Sequence, residues 1–132
     1  MTENEFVAWR DSLTLHHYVD RLLKMKDEVT PGQWSNLQRM LVAQYLAPGR
    51  SVTVDQLAQR AGINVKFVKL EYGRLGHLFC EPNLSTDNSQ IERADHRWRL
   101  VWSDDEQSAE GLLWTMRPQV AEALELLGWV SP

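Results

Sequence analysis

The sequence contains a single cysteine, Cys80, so an internal disulfide is impossible. Sparse cysteine is typical of proteins from a reducing compartment. The first five residues are polar and acidic and lack the apolar core of a secretory signal. No apolar run approaches the roughly 20 residues that a membrane-spanning helix needs. These absences predict a cytoplasmic protein with no membrane partner.

Patterns that carry catalysis or bind cofactors are also missing. Gly73 and Gly76 are not followed by the Gly-Lys-Ser/Thr ending of a phosphate-binding loop. His16 and His17 are adjacent, so on a helix their rings point about 100° apart and cannot share a metal ion. The three consecutive acids at 104–106 indicate a solvated turn, and no nucleophile has a recognisable base. We therefore expect no enzyme activity, no cofactor and no metal site.

Charge is unevenly distributed along the chain, whose net charge is −4. Residues 60–99 hold seven Lys and Arg against five Asp and Glu, whereas residues 100–132 hold one against six. A negative total disfavours indiscriminate attraction to nucleic acid, but the local distribution decides where an anion is met. Contacts to an anionic partner are therefore expected in the basic middle of the chain.

The composition, with 43% hydrophobic and 24% charged residues over 132 positions, is that of one ordinary globular domain. Helical periodicity runs through 6–26, where Ser12 or Thr14 is a candidate break between two helices. Thr30-Pro31 then begins a helix that stops at Pro48-Gly49. We accordingly divide the sequence into an N-terminal helical segment, 1–29, and a domain over 30–132.

Two further helices are marked by their caps. Thr53, followed three residues later by Gln56, forms a capping box. Gly62 ends that helix after two turns, and Asn64 caps a longer helix that extends from Val65 towards residue 79.

The remainder of the chain combines polar segments with alternating apolar ones. Alternation of apolar and polar side chains predicts half-buried strands, and a glycine followed by apolar residues is typical of a helix end. The expected order is a polar loop at 81–95 after Pro82 closes the preceding helix, a strand at 97–102, a polar turn at 103–110, a second strand at 112–116 and a last helix from Pro118 to Gly128.

The spacing of small and apolar residues in 52–76 is typical of a helix-turn-helix. Ala58 is followed by Gly62-Ile63 after four residues and by Val68 after ten, with Leu75 beyond. This stretch resembles the first half of helix-turn-helix domains of bacterial regulators, and the hairpin after it resembles the wing of winged-helix proteins. We therefore expect a mainly α fold with a small antiparallel β-hairpin, winged-helix-like, with additional N-terminal helices and a C-terminal helix.

The resemblance implies a DNA-binding protein, such as a small bacterial or phage regulator, whose second helix enters the major groove of double-stranded DNA. Phe67, Glu71 and Tyr72 are expected on the exposed side of that helix too, where Glu71 would be repelled by phosphate unless it accepts a hydrogen bond from a cytosine amine. The candidate DNA-binding residues are Arg60, Asn64, Lys66, Lys69 and Arg74.

An alternative is a protein-interaction module that keeps the same fold without binding nucleic acid. The net negative charge and the six tryptophans favour it. Its partner would be another protein, with a homodimer included among the alternatives. A continuous positive face on the helix from Asn64 would favour DNA, and a mixed or apolar face would favour a protein.

Overall fold

The computed structural model describes residues 2–81 and 98–132, which form a mainly helical fold with a small antiparallel sheet. The predicted class is thereby confirmed. The helices in this part of the chain are α1 (Glu3–Asp11), α2 (Leu15–Glu28), α3 (Pro31–Leu46), α4 (Val54–Ala61), α5 (Val65–Cys80) and α6 (Pro118–Leu126). The strands are β1 (Ser51–Val52), β2 (Ser103–Ser108) and β3 (Gly111–Met116), and short 3₁₀ turns occupy Pro48–Arg50 and Arg99–Val101.

Three of the helices begin at a threonine that forms a capping box. The hydroxyls of Thr14, Thr30 and Thr53 each accept a hydrogen bond from the backbone N–H three residues on, and the side chain there bonds back. Such reciprocal caps satisfy N–H groups that have no partner within the helix. The break predicted at Ser12 or Thr14 is therefore confirmed, with Ser12 at the end of α1 and Thr14 at the start of α2, as are the predicted starts at Thr30 and Thr53.

The junction between α4 and α5 has the predicted conformation. Gly62 adopts a left-handed backbone with φ of 68°, and its N–H donates to the carbonyls of Ala58 and Gln59. A side chain is strained in that conformation, which explains the glycine. Asn64 then caps α5 by accepting from the N–H of Lys66 at 2.9 Å. The two predicted helices are present as separate elements.

The strand predicted at 97–102 is wrong. Residue 97 lies outside the described residues, and Arg99–Val101 form a 3₁₀ turn. Alternation misled the prediction because every side chain from 98 to 102 is buried. The strand lies instead at Ser103–Ser108, which was predicted as a polar turn. β2 is an edge strand held by its backbone pairing to β3, so it needs no apolar side chains.

The sheet joins distant parts of the chain in the order β1-β3-β2. Ser51 pairs with Thr115 and Val52 with Trp114, so β3 lies between β1 and β2. Two residues are too few to show alternation, so β1 was not predicted. The second predicted strand, 112–116, is confirmed as β3. Of the loop predicted at 81–95, Glu81 is the C-cap of α5, and the rest, with Pro82, lies outside the described residues.

The N-terminal helices share the hydrophobic core of the rest of the chain. Phe6 on α1 and Tyr18 on α2 are fully buried in it. The Tyr18 hydroxyl donates to the carbonyl of Val101 at 2.7 Å, and Arg10 donates to the carbonyl of Leu100 at 2.9 Å. Both bonds hold the segment that leads into β2. Residues 1–29 therefore help to position the hairpin.

A polar network centred on Gln44 crosses the core. Its amide nitrogen donates to Ser103 Oγ at 2.9 Å and to the carbonyl of Trp114 at 3.0 Å. Its amide oxygen accepts from the hydroxyl of Tyr72 at 2.6 Å. Gln44 is fully buried, so these bonds fix α3 against α5 and the hairpin.

Across residues 2–81 and 98–132, no helix is both long enough and apolar enough to cross a membrane.

Candidate functional site: the groove between α5 and the hairpin

Three of the candidate residues, Lys66, Lys69 and Arg74, line one groove of about 830 Å³ between α5 and the β-hairpin. The other residues that line this α5–hairpin groove are Val54, Leu70, Gly73, His77, Trp98, Arg99, Leu112 and Trp114.

The phase of α5 explains which side chains reach the groove. Val68, Leu75 and Phe79 are buried in the core and fix one face of the helix. Side chains three and four residues apart share a face of a helix. Lys66 and Lys69 therefore lie on the opposite side of α5, together with Arg74 and His77 further along the helix. Neither lysine forms an ion pair with any residue the structure describes.

The prediction that Glu71 and Tyr72 are exposed is wrong. Glu71 is 1% exposed and Tyr72 is fully buried. Both follow Val68 at helical spacing and therefore face the core. One carboxylate oxygen of Glu71 pairs with Arg74 Nη1 at 3.0 Å. Glu71 is the only acid of α5, so the exposed side of this helix carries no negative charge.

The remaining candidates have other positions. The side chain of Asn64 caps the start of α5 by accepting a hydrogen bond from the backbone N–H of Lys66. Arg60 lies in the last turn of α4 and lines two separate depressions, one beside Glu110 of the hairpin and one beside Leu46 of α3. The structure therefore brings three of the five candidates together in the groove and places two elsewhere.

The floor of the groove is aromatic. Trp98 and Trp114 are 2% and 5% exposed, and the His77 ring stacks on Trp98 with centroids 4.4 Å apart and planes inclined by 18°. Leu70 and Leu112 form half-exposed edges. The indole Nε1 of Trp98 and the ring Nε2 of His77 are buried and have no hydrogen-bond partner among the described residues.

Arg99 enters the groove from the 3₁₀ turn that follows Trp98. Its guanidinium lies 5.0 Å from the centroid of the Trp114 ring and pairs with Asp105 of β2 at 2.9 Å. Burial lowers the pKa of Arg99, and the Asp105 carboxylate opposes that change. Arg99 therefore supplies a positive charge that is already partly compensated.

The three acids at 104–106 are exposed, as predicted, but they lie on a strand and not in a turn, and Asp104 and Asp105 form ion pairs. Asp104 contacts Arg10 at 2.8 Å and Arg117 at 3.6 Å, and both guanidiniums are largely buried. Together with the Asp105 pair, this compensates much of the negative charge that the strand brings close to α5. Arg10 lies far from Asp104 in the sequence, which hid that pairing, whereas Arg99 is only six residues from Asp105.

Cys80 has the features of a structural thiol. It is fully buried at the end of α5, and burial raises its pKa far above the ordinary value. In the part of the chain that is described, no group of three or more His, Cys, Asp or Glu side chains is placed to hold a metal ion.

Sequence reasoning missed several groove residues. The helical spacing of Lys66, Lys69, Leu70 and Gly73 was a usable signal for the α5 side. Nothing in the sequence indicated that Trp98 would approach them, because that contact depends on how the chain returns to α5.

Comparisons with protein-family models, with curated proteins and with solved structures found no match to this chain.

Proposed function

We propose that the chain is a winged-helix protein that binds double-stranded DNA, with α5 as the helix that enters the major groove. Support comes from the pair α4–α5, joined through left-handed Gly62, and from the β2–β3 hairpin that follows α5 in the chain. In helix-turn-helix proteins the second helix of such a pair reads the major groove.

The observation that carries the proposal is the charge of the exposed side of α5. Lys66, Lys69 and Arg74 are exposed, and the one acid of the helix is turned into the core. Lys66 and Arg74 are eight residues apart, about 12 Å along the axis. Duplex DNA presents several phosphates over that length, so the two lysines are suited to backbone contacts, and Arg74 would be shared between Glu71 and a phosphate.

Two apolar side chains lie among these cations. Phe67 is 47% exposed and Leu70 is 50% exposed. In a major groove such side chains contact the methyl groups of thymine, which is one of the ways in which sequence is read. On this proposal the lysines supply affinity, and the two apolar side chains contribute selectivity.

The same two residues favour a second candidate function, a protein-interaction module. Exposed Phe67 and Leu70 make the face of α5 mixed and not continuously positive. Solvated apolar side chains beside cations are also typical of a surface that receives a protein partner. We rank this candidate second because the burial of Glu71 removes the main electrostatic objection to phosphate.

The test is fluorescence anisotropy of labelled duplex fragments of mixed sequence, titrated with the full chain at several salt concentrations. We expect affinity in the range of about 1–100 µM for non-specific sites, weakening as salt rises. Lys69→Glu should weaken binding to all sequences and reduce the salt slope by about one unit or more.

The matched control is Lys26→Glu, the same charge change at an exposed lysine of α2, outside the groove. It should change the affinity by less than about twofold, because a distant exposed charge is screened by salt. Equal weakening by both variants would reject α5 as the contact surface. No binding up to about 100 µM by folded protein at the lowest salt concentration would reject DNA binding and leave the interaction module.

A further inference from the structure

We propose that the α5–hairpin groove binds a small ligand that joins a planar aromatic ring to an anionic group. This proposal does not depend on DNA binding. The groove volume of about 830 Å³ lies within the usual range of small-molecule sites. Such sites combine an apolar lining with a few converging polar groups, which is the composition found here.

The aromatic part of the ligand is indicated by the floor of the groove. Trp98 and Trp114 both line it, and His77 extends the surface of Trp98 by stacking on it. Flat rings are favoured next to such surfaces because stacked and edge-to-face contacts add to the burial of apolar area. Leu70 and Leu112 at the edges would cover the ring further.

The anionic part is indicated by the charges at the rim. Lys66, Lys69, Arg74 and Arg99 all line the groove, and no acid lies among the described lining residues. Arg74 and Arg99 already have carboxylate partners, Glu71 and Asp105 respectively. The two lysines have none among the described residues, so they are the side chains available to a new anion.

A second, independent observation points to a ligand. Trp98 is 2% exposed, and its indole N–H has no acceptor among the residues the structure describes, although the residue lines the groove. Nε2 of the stacked His77 also has no hydrogen-bond partner among the described residues. An unpaired buried N–H is costly. The indole N–H has almost no accessible surface, so a ligand oxygen reaches it only if the Trp98 ring shifts on binding, and that shift would remove the cost.

The direct test compares 2-naphthoate with 2-naphthamide, which share the ring and differ in charge. Binding to the full chain without DNA is followed by ¹H–¹⁵N NMR, where the indole N–H of Trp98 is observed separately. We expect saturable binding of naphthoate, at least about fivefold tighter than naphthamide, and a shift of the Trp98 indole signal. Adenosine monophosphate forms a further arm, and tighter binding than naphthoate would assign the site to nucleotides.

Variants locate the site. Leu70→Glu should weaken naphthoate binding by about tenfold, since it places a like charge beside the anion and removes apolar cover. Leu46→Glu is the matched control, because Leu46 is 66% exposed and lies outside the groove. It should leave the affinity within about twofold, because exposed charges at a distance are screened. Both positions are exposed, so both variants should fold, which circular dichroism checks.

Replacing Lys66 and Lys69 by glutamine should reduce naphthoate affinity to that of the amide. The proposal is overturned if naphthoate does not saturate, if the amide binds equally well, or if Leu46→Glu weakens binding as much as Leu70→Glu. Because no DNA is present, this result stands apart from the anisotropy test. Loss of DNA binding with retained naphthoate binding would reject only the function proposed above.

Discussion

Replacing Gly76 by alanine tests the closest approach between α5 and the chain segment at the groove floor. A Cβ atom at this position would lie 2.8 Å from the carbonyl carbon of Trp98, with the attached oxygen still closer, and 3.3 Å from Nε1 of Trp102. Ordinary contacts between carbon atoms need about 3.5–4.0 Å. The obstacle is backbone, which cannot rotate away, so the helix and the 3₁₀ turn have to separate.

The magnitude is the difference between two opposing effects. Overpacking a well-filled core costs about 1–3 kcal/mol and more when backbone must move. Alanine recovers about 0.5–1 kcal/mol of that through its better helix propensity. The obstacle here is backbone, so the cost lies at the upper end, about 3 kcal/mol, and we expect Gly76→Ala to lower the free energy of unfolding by about 2–2.5 kcal/mol.

The assay is urea unfolding of the full chain, followed by circular dichroism, with Gly32→Ala as the matched control. Gly32 lies in the first turn of α3, where a Cβ would meet only Thr30 Oγ1 at 3.9 Å. There the same substitution should be neutral or stabilising by up to about 1 kcal/mol. Equal or greater stability of Gly76→Ala relative to the unmodified chain would refute the close approach.

Three other predictions concern the buried aromatic residues. Tyr72→Phe removes the 2.6 Å donor of the Gln44 oxygen, which keeps only the 3.3 Å bond from Ser103 Oγ, and should cost about 0.5–1.5 kcal/mol in urea unfolding; an unchanged midpoint would mean that the bond is not formed. Trp114→Ala should cost about 3–5 kcal/mol, because the ring is 5% exposed, and a loss below about 1 kcal/mol would place it at the surface. Burial raises the pKa of Tyr18 from 10.0 to about 12, so an unfolded chain releases this proton at lower pH than the folded one. The contribution of Tyr18 to stability should therefore be constant below pH 10 and fall between pH 10 and 12, as measured by the difference in urea unfolding between the unmodified chain and Tyr18→Phe at each pH; a difference that stays constant from pH 10 to 12 would contradict this.

The sequence alone determined the helix boundaries, because these depend on local chemistry. Thr14, Thr30, Thr53 and Asn64 each cap a helix through hydrogen bonds that span two or three residues. The left-handed turn at Gly62 is equally local, because this backbone conformation is strained for a residue with a side chain and not for glycine. The spacing between Val68 and Glu71 also indicated that Glu71 faces the core. We predicted an exposed position instead because the side chain is charged.

Tertiary structure decided where the second strand lies and what the groove contains. The polar segment 103–108 becomes a strand because β3 offers it a ladder of backbone hydrogen bonds, which side-chain alternation does not report. Trp98 and Arg99 reach α5 because Gly76 admits the backbone of the 3₁₀ turn. The Gly76–Trp98 approach and the β1–β3 pairing join residues more than 20 positions apart, and the β2–β3 ladder is a backbone pairing, so no local pattern of side chains encodes them.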